Sequence, residues 1–161
     1  MPIKVGDRIP DVAVTIPGDD GMPKPAQTGE LLGSGKVVLF AVPGAFTPGC
    51  SNFHLPGFVL RADEVKAKGV DTIACVAVND AFVMHAWAEN QNVGDTVQMI
   101  GDGNGEFTKA MDLVMDGSGI GLGSRSKRYA AILQDGVVEE LFVEPKPGVE
   151  ESSVENVLAH L

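Results

Sequence analysis

The feature that most restricts the fold of this chain is the apolar segment Lys36-Val-Val-Leu-Phe-Ala-Val42, which Pro43-Gly44 ends. Its apolar residues are continuous rather than alternating, and many are β-branched, which is typical of a strand buried on both faces. A sheet of such strands must be covered by helices on both sides, so the segment predicts a layered α/β structure.

Further segments predict the elements around this strand. The predicted strands cover residues 71–78, 97–100, 129–133 and 137–143, and the predicted helices cover residues 51–68, 79–92, 106–113 and 152–160. Pro56 is expected to break or kink the first helix, leaving a short first helix and a longer second, and Gly69 to end it. Asp135-Gly136 lies between two apolar segments and predicts a hairpin with a type I′ turn. Residues 17–35 are rich in Gly, Pro and Asp, so we expect a surface connection there.

Strands that alternate with helices and then give way to a hairpin predict a thioredoxin-like fold. Its central mixed β-sheet would be flanked by helices, with parallel crossovers first and an antiparallel hairpin at one side. Hydrophobic residues make up 44% of the chain and charged residues 21%, which is the balance of a folded globular protein. A chain of 161 residues suffices for one core, so we expect a single domain over residues 1–161.

Charge and cysteine content exclude several classes of function. The formal charge of −10, from 22 acidic and 12 basic residues, repels phosphate backbones and anionic lipids, so we expect neither nucleic acid nor membrane as a partner. Residues 1–12 contain no long apolar stretch, which argues against a signal peptide and favours a cytoplasmic protein. The two cysteines, Cys50 and Cys75, have no zinc-site spacing, so neither a metal nor a cofactor is expected.

The segment Val42-Pro-Gly-Ala-Phe-Thr-Pro-Gly-Cys-Ser51 holds the candidate chemistry, because it joins a buried strand to a helix. Ligand sites concentrate at the carboxyl ends of such strands, and Cys50 there falls among N–H groups without intrahelical acceptors. The helix dipole supplies only about 0.3–1 kcal/mol at an exposed site, less than full ionisation of a thiol requires. A cation or direct hydrogen bonds must supply the rest, and the candidates are the Thr47 hydroxyl, N–H groups around Gly49 and a guanidinium.

The same segment resembles a known family. Pro43-x-x-x-Thr47-x-x-Cys50 resembles the P-x-x-x-T-x-x-C signature of peroxiredoxins, and residues 42–58 resemble the type II, peroxiredoxin-five-like subgroup. The likeness continues through residues 74–82, at Trp87, and at residues 127–129 and 134–136, so it covers nearly the whole chain. It implies a thiol peroxidase that reduces hydrogen peroxide and alkyl hydroperoxides in antioxidant defence and cell redox homeostasis.

The resemblance also implies roles for individual residues. Cys50 resembles the peroxidatic cysteine, which attacks the hydroperoxide and becomes a sulfenic acid. Thr47 resembles the hydroxyl that bonds thiolate and peroxide, and Arg128 the guanidinium that holds both. Pro43 resembles the proline that shields the sulfur, and Gly49 belongs to the same substrate-binding loop.

Two of these assignments leave alternatives open. Arg128 is preferred to Arg125 and Lys127 because it stands directly before Tyr129. His54 follows Cys50 by four residues and can share its helix face, where it could assist protonation, fix the loop or serve packing alone.

The resemblance has one informative departure. Some relatives carry a resolving cysteine near the C-terminus, but residues 147–154 contain none, which implies a one-cysteine mechanism. The sulfenic acid would then be reduced by an external thiol, either glutathione with glutaredoxin or thioredoxin. Cys75 lies within an apolar segment and is expected to be an unreactive core thiol. A resolving role is the minor alternative, and it would need either the Cα atoms of Cys75 and Cys50 within about 7 Å or local unfolding. Members of the subgroup form homodimers, so a homodimer is expected.

Two other functions compete with the peroxidase. A non-catalytic thioredoxin-like redox sensor or binding module would oxidise at Cys50 without turnover. A cysteine hydrolase would pair Cys50 with His54 or His85, although no Asn or Asp is evidently placed to orient either histidine.

Overall fold

The computed structural model describes residues 1–161, and its strands form one seven-stranded sheet and one small hairpin. The strands are β1 (Ala13–Pro17), β2 (Pro23–Gln27), β3 (Lys36–Ala41), β4 (Thr72–Ala77), β5 (Gln98–Gly101), β6 (Val114–Asp116), β7 (Ser124–Ser126), β8 (Tyr129–Gln134) and β9 (Val137–Val143). The large sheet has the order β2-β1-β5-β4-β3-β8-β9. Strands β3, β4 and β5 are parallel and the other pairs antiparallel, which confirms the predicted mixed sheet.

Helices cover the large sheet. They are α1 (Thr28–Leu32), a π-helical turn (Cys50–His54), α2 (Leu55–Leu60), α3 (Ala62–Ala67), α4 (Ala81–Asn90), α5 (Glu106–Met111) and α6 (Val154–Ala159), with a short 3₁₀ turn at Ser118–Ile120. None of them combines the length and the apolar character that crossing a bilayer requires. The predicted α/β class is therefore confirmed.

Strand β3 is buried on both faces, as its continuous apolar pattern predicts. Val38 and Phe40 point into one apolar core, and Val37, Leu39 and Ala41 point into another. This alternation follows from the two-residue period of a strand. Helices α2, α3, α4 and α6 supply the first core with Phe58, Val65, Trp87 and Val157. Helices α1 and α5 supply the second core with Leu32, Phe107 and Met111.

The predicted hairpin is also confirmed. Asp135 and Gly136 join β8 to β9 with φ angles of 50° and 82°, the two left-handed residues that a type I′ turn requires. The hairpin places β8 next to β3, so residues at the carboxyl end of β3 lie beside residues at the start of β8.

The predicted break at Pro56 is wrong, since the helix is interrupted at Arg61 instead. The N–H of Leu55 donates to the carbonyl of Cys50, five residues earlier, which is the wide bond of a π-helical turn. Pro56 then falls in the first turn of α2, where its missing N–H costs no helical hydrogen bond. A wide turn before the proline thus keeps the segment helical.

The predicted surface connection at residues 17–35 is wrong as well, because it contains β2 and α1. Thr28 and Leu32 are fully buried, and the Thr28 hydroxyl donates to the carbonyl of Pro10 at 2.7 Å. Strand β2 is the outermost strand of the sheet, where prolines are tolerated since an edge strand has a free side. The glycine and proline content that predicts a loop is therefore also compatible with an edge strand, which is what forms here.

Replacing Gly136 by alanine is expected to lower the free energy of unfolding by about 1–2 kcal/mol. The residue has a φ of 82°, and the new Cβ would lie 3.1 Å from Arg8 Nη1. Gly119→Ala is the control, because its Cβ would meet no atom within 4 Å, and it should change stability by less than about 0.5 kcal/mol. Denaturant unfolding followed by circular dichroism measures both, and equal losses would contradict the proposed cause.

Candidate active site

The segment after β3 places Cys50 as the sequence predicts, in the first turn of a helix at the carboxyl edge of the sheet. The N–H of Ser51 donates to the carbonyl of Thr47 at 2.9 Å, which closes that turn around the cysteine. Cys50 is fully buried within the π-helical turn. Its thiol is therefore shielded from bulk water. In such a buried site, hydrogen bonds and charges act more strongly than they do in water.

Two side chains contact the sulfur of Cys50. Thr47 Oγ1 lies 2.9 Å from Sγ, and Arg128 Nη2 lies 3.1 Å from it. A guanidinium is always protonated, so a full positive charge stands directly against the sulfur and favours the thiolate. Arg128 is therefore the cation that adds to the stabilisation from the helix dipole, which is too small by itself.

The hydroxyl of Thr47 has one proton and two acceptors within reach. It lies 2.6 Å from the carbonyl oxygen of Gly44 and 2.9 Å from the sulfur of Cys50. While the proton points to Gly44, the hydroxyl oxygen can accept a hydrogen bond from a thiol or a peroxide. When the proton turns to the sulfur, it stabilises the thiolate, so this hydroxyl can serve either state.

His54 is held between Arg128 and Ser152. Its Nδ1 lies 2.9 Å from Arg128 Nη1, and its Nε2 lies 2.9 Å from the carbonyl oxygen of Ser152. A guanidinium only donates, so Nδ1 accepts and the proton resides on Nε2. The ring packs against Phe40 and Phe58, with centroids 4.9 and 5.7 Å away.

The surroundings of His54 keep it neutral. Burial and the neighbouring charge of Arg128 lower its pKa to about 3. A base that weak takes up no second ring proton at neutral pH, so the geometry supports the orientation of Arg128 and not proton transfer.

Arg125 contacts the active-site loop and not the sulfur. Its Nη1 donates to the carbonyl of Pro43 at 3.3 Å, and its Nε donates to the carbonyl of Leu122 at 2.9 Å. Pro43 is itself half-buried in this loop. The arginine therefore ties the loop that carries Pro43 to the segment between β6 and β7.

Gly49 lets the catalytic-site guanidinium come close to the helix. A Cβ at this position would lie 3.0 Å from Arg128 Nη2, tighter than ordinary contact. The missing side chain thus leaves room for Arg128 above the turn that holds Cys50.

No sequence pattern indicated Glu144, which organises the segment next to His54. Its Oε2 accepts from Ser152 N at 2.8 Å, Ser152 Oγ at 2.6 Å and Glu150 N at 2.9 Å. Burial acts to raise the pKa of Glu144, but these hydrogen bonds outweigh it and lower the pKa. The side chain is therefore a carboxylate that fixes this segment at neutral pH.

The remaining titratable candidates do not reach the sulfur of Cys50. Cys75 is fully buried in β4, and burial together with the charge of Cys50 raises its pKa. His85 pairs with Glu89 on α4, at 3.0 Å. The sulfur is hydrogen-bonded to a threonine and an arginine and contacts no histidine, so the histidine base that a cysteine hydrolase needs is missing. No three His, Cys, Asp or Glu side chains gather as metal ligands.

Comparison with known proteins places this fold and site in a class. Residues 4–158 match the Redoxin family. The chain is 50% identical to the chloroplastic peroxiredoxin-2E-2 of Oryza sativa, over 99% of this chain and 72% of that one. Reduced Prx3 of Vibrio vulnificus in complex with H₂O₂ is 49% identical over 98% of both chains, with a TM-score of 0.92. The Plasmodium falciparum antioxidant protein, a 1-Cys peroxiredoxin, is 31% identical over 96% of both chains, with a TM-score of 0.89.

A sheet of this topology with a buried cysteine at a strand end defines a redoxin with a thioredoxin-like fold. The relatives narrow that class, and the chain belongs to the peroxiredoxin family. It is accordingly a thiol peroxidase.

The neutral state of His54 is expected to make the fold sensitive to mild acid. Its pKa is about 3 in the folded protein and about 6.5 in the unfolded chain, so the unfolded chain binds more protons between these values. Stability is complete above about pH 6.5 and falls below it by up to about 1.4 kcal/mol per pH unit.

Denaturant titrations between about pH 7 and about pH 5 measure this effect against His54→Gln, which lacks the titrating group. The carboxylate of Glu144 titrates below this window, since its pKa is lowered from 4.5. The wild-type slope should be the steeper one, and parallel slopes would contradict a buried, neutral His54.

Proposed function

We propose that this peroxiredoxin reduces hydrogen peroxide and alkyl hydroperoxides with Cys50 as its peroxidatic cysteine. The observation that carries the proposal is the buried sulfur with Thr47 Oγ1 at 2.9 Å and Arg128 Nη2 at 3.1 Å. The Thr47 hydroxyl can hydrogen-bond either the peroxide or the thiolate by turning its proton, and the Arg128 guanidinium holds a permanent charge.

The reaction begins when the thiolate of Cys50 attacks the terminal oxygen of the hydroperoxide. The S–O bond forms as the O–O bond breaks, which leaves a sulfenic acid and either hydroxide, from hydrogen peroxide, or an alkoxide, from an alkyl hydroperoxide; the leaving oxygen then takes up a proton. Arg128 donates to the peroxide oxygen beside the sulfur, and Thr47 Oγ1 accepts a hydrogen bond from the peroxide O–H, which keeps its proton. Together they align the O–O bond and stabilise the developing charge, which ionisation of the thiol alone does not achieve.

Pro43 and Gly49 complete this site. Pro43 has no N–H to donate, and its fixed φ stiffens the loop that shields the sulfur. Gly49 keeps the approach of Arg128 open, because a side chain there would press on the guanidinium.

The sulfenic acid is reduced by an external thiol in this proposal. Cys75 is fully buried, and residues 147–154 offer no cysteine. An attacking thiol displaces water to form a mixed disulfide, and a second thiol then releases Cys50 as a disulfide forms. Glutathione with glutaredoxin is the first candidate and thioredoxin the second. The name 1-Cys peroxiredoxin of the Plasmodium falciparum protein supports this one-cysteine cycle.

A homodimer through the face next to the active-site loop is part of the proposal. Phe46, Phe82 and Ile120 are large apolar side chains with 51%, 53% and 80% of their surface exposed. Hydrogen bonds tie their segments together. Ala45 N donates to Asn79 Oδ1 at 2.9 Å, which joins the segments of Phe46 and Phe82, and Arg125 donates to the carbonyls of Pro43 and Leu122, which joins the segments of Phe46 and Ile120. Large apolar side chains exposed on segments that are tied together in this way favour an interaction surface here.

A cytoplasmic location is also proposed, because both cysteines are free and the cycle needs a reducing compartment. The rice relative is named chloroplastic, so an organelle is the competing location. A fluorescent fusion in the native cells decides between the two compartments.

Replacing Cys50 by serine should abolish peroxide reduction, whereas Cys75→Ser should retain most of it, because only Cys50 has the two donors. Peroxide consumption is measured with glutathione and glutaredoxin, and in parallel with thioredoxin and its reductase, so the assay also names the reductant. Loss of activity in a folded Cys75→Ser variant alone would overturn the assignment. Stoichiometric oxidation at Cys50 without turnover in either system would favour the redox sensor.

Phe82→Asp is expected to shift the protein from dimer to monomer, because a carboxylate would be buried in the proposed interface. Sedimentation velocity measures the change. Leu60→Asp is the control, since Leu60 is 85% exposed on α2 and should leave the association unchanged. A dimer of undiminished affinity in Phe82→Asp would rule out this face.

A further inference from the structure

We propose that Glu144 is a positioning residue of the peroxidase site, which orients Arg128 through Ser152 and His54. The inference rests on the proposed function, because the guanidinium it orients is the one that contacts Cys50. Glu144 itself touches neither the sulfur nor the space in front of it, so it acts only through these partners.

The first step is the hold of Glu144 on the segment before α6. One carboxylate oxygen, Oε2, accepts three hydrogen bonds, from the N–H and hydroxyl of Ser152 and from the N–H of Glu150. Residues 145–148, which lead into the segment that contains Glu150 and Ser152, are exposed, so burial gives the segment little support there. Hydrogen bonds to a charged acceptor are about twice as strong as neutral ones. Two of them hold Ser152 directly, and the third holds Glu150 in the same segment.

The second step is the choice of tautomer at His54. The carbonyl oxygen of Ser152 lies 2.9 Å from Nε2 and accepts its proton. That leaves Nδ1 without a proton, so it can accept from Arg128 Nη1 at 2.9 Å. If Ser152 moved away, the ring could rotate or place its proton on Nδ1, where it would face the guanidinium donor to donor.

The third step is a direct backbone contact between Glu144 and Arg128. The N–H of Glu144 donates to the carbonyl of Arg128 at 3.0 Å, so the two backbones are paired beyond the end of the β8–β9 hairpin. One residue therefore holds the backbone of Arg128 directly and its side chain through Ser152 and His54. The guanidinium is fixed relative to its own main chain, which determines where Nη2 meets the sulfur of Cys50.

A purely electrostatic role for Glu144 makes the opposite prediction. Its negative charge weakens the positive field of Arg128 at the sulfur, so removing the charge would favour the thiolate and raise reactivity. A positioning role predicts a loss of reactivity toward peroxide on the same substitution. The sign of the change therefore separates the two roles.

The test compares Glu144→Gln and Glu144→Ala with Glu150→Gln and Glu151→Gln. The two controls remove the same charge from exposed positions of the same segment and keep every backbone bond to Glu144. Oxidation by hydrogen peroxide is followed by the fluorescence of Trp87, whose Nε1 contacts Ser51 Oγ next to Cys50. Alkylation by iodoacetamide is measured in parallel at a pH high enough to ionise the thiol in every variant, so that it needs neither an aligned O–O bond nor the charge of Arg128. Thermal unfolding reports the fold.

The Glu144 variants should react about tenfold or more slowly with peroxide, while alkylation changes by less than about twofold. Both controls should match the wild type. In an Arg128→Met background, Glu144→Gln should have little further effect on the peroxide rate, because the group it orients is gone.

Three results would overturn the inference: a peroxide rate equal to or above the controls, a parallel loss with both reagents, or full additivity with Arg128→Met. The failure of the proposed function looks different, since wild-type protein would then react with peroxide no faster than a free thiol.

Discussion

The contact between the guanidinium of Arg128 and the sulfur of Cys50 is the interaction on which the rest of the site depends. The positive charge of Arg128 must be held 3.1 Å from the sulfur, and the side chain that holds the guanidinium must not neutralise that charge. A carboxylate in direct contact would fix the arginine but cancel much of its field at the sulfur. The neutral ring of His54 fixes it and leaves the charge intact. Burial of His54 against Phe40 and Phe58 is therefore a condition of the chemistry as well as of the packing.

The sheet brings the parts of this site together from distant places in the chain. Ala41 at the end of β3 pairs with Tyr129 at the start of β8, because the two strands are antiparallel neighbours. The loop that leads to Cys50 and the arginine that contacts it thus leave the sheet at the same edge. The π-helical turn then presents Cys50 and His54 inward, toward the two ends of the same guanidinium.

Several of these features follow from local sequence patterns. The continuous apolar segment from Lys36, the Asp135-Gly136 turn and the position of Cys50 after a buried strand could all be predicted, since each rests on residues near in the chain. The errors arose where a local pattern has two structural solutions. Proline and glycine at residues 17–35 suit a loop and also an edge strand, and only the neighbouring β1 decides between them. Pro56 can break a helix or stand in its first turn, and the wide bond from Leu55 to Cys50 selects the second.

What the sequence by itself determined is the position of Cys50, the proposed nucleophile, in the first turn of a helix after a buried strand, and the need of its sulfur for a cation or hydrogen-bond donors. What only the tertiary structure decided is the support behind Arg128. Counted from the two-residue turn, the hairpin would place Val143 opposite Arg128. An irregularity between Ile132 and Leu133 shifts the register by one residue, so that Glu144 pairs with Arg128 instead. A one-residue shift exchanges the faces of a strand, and no local pattern announces it, because it depends on how β9 packs against the rest of the sheet.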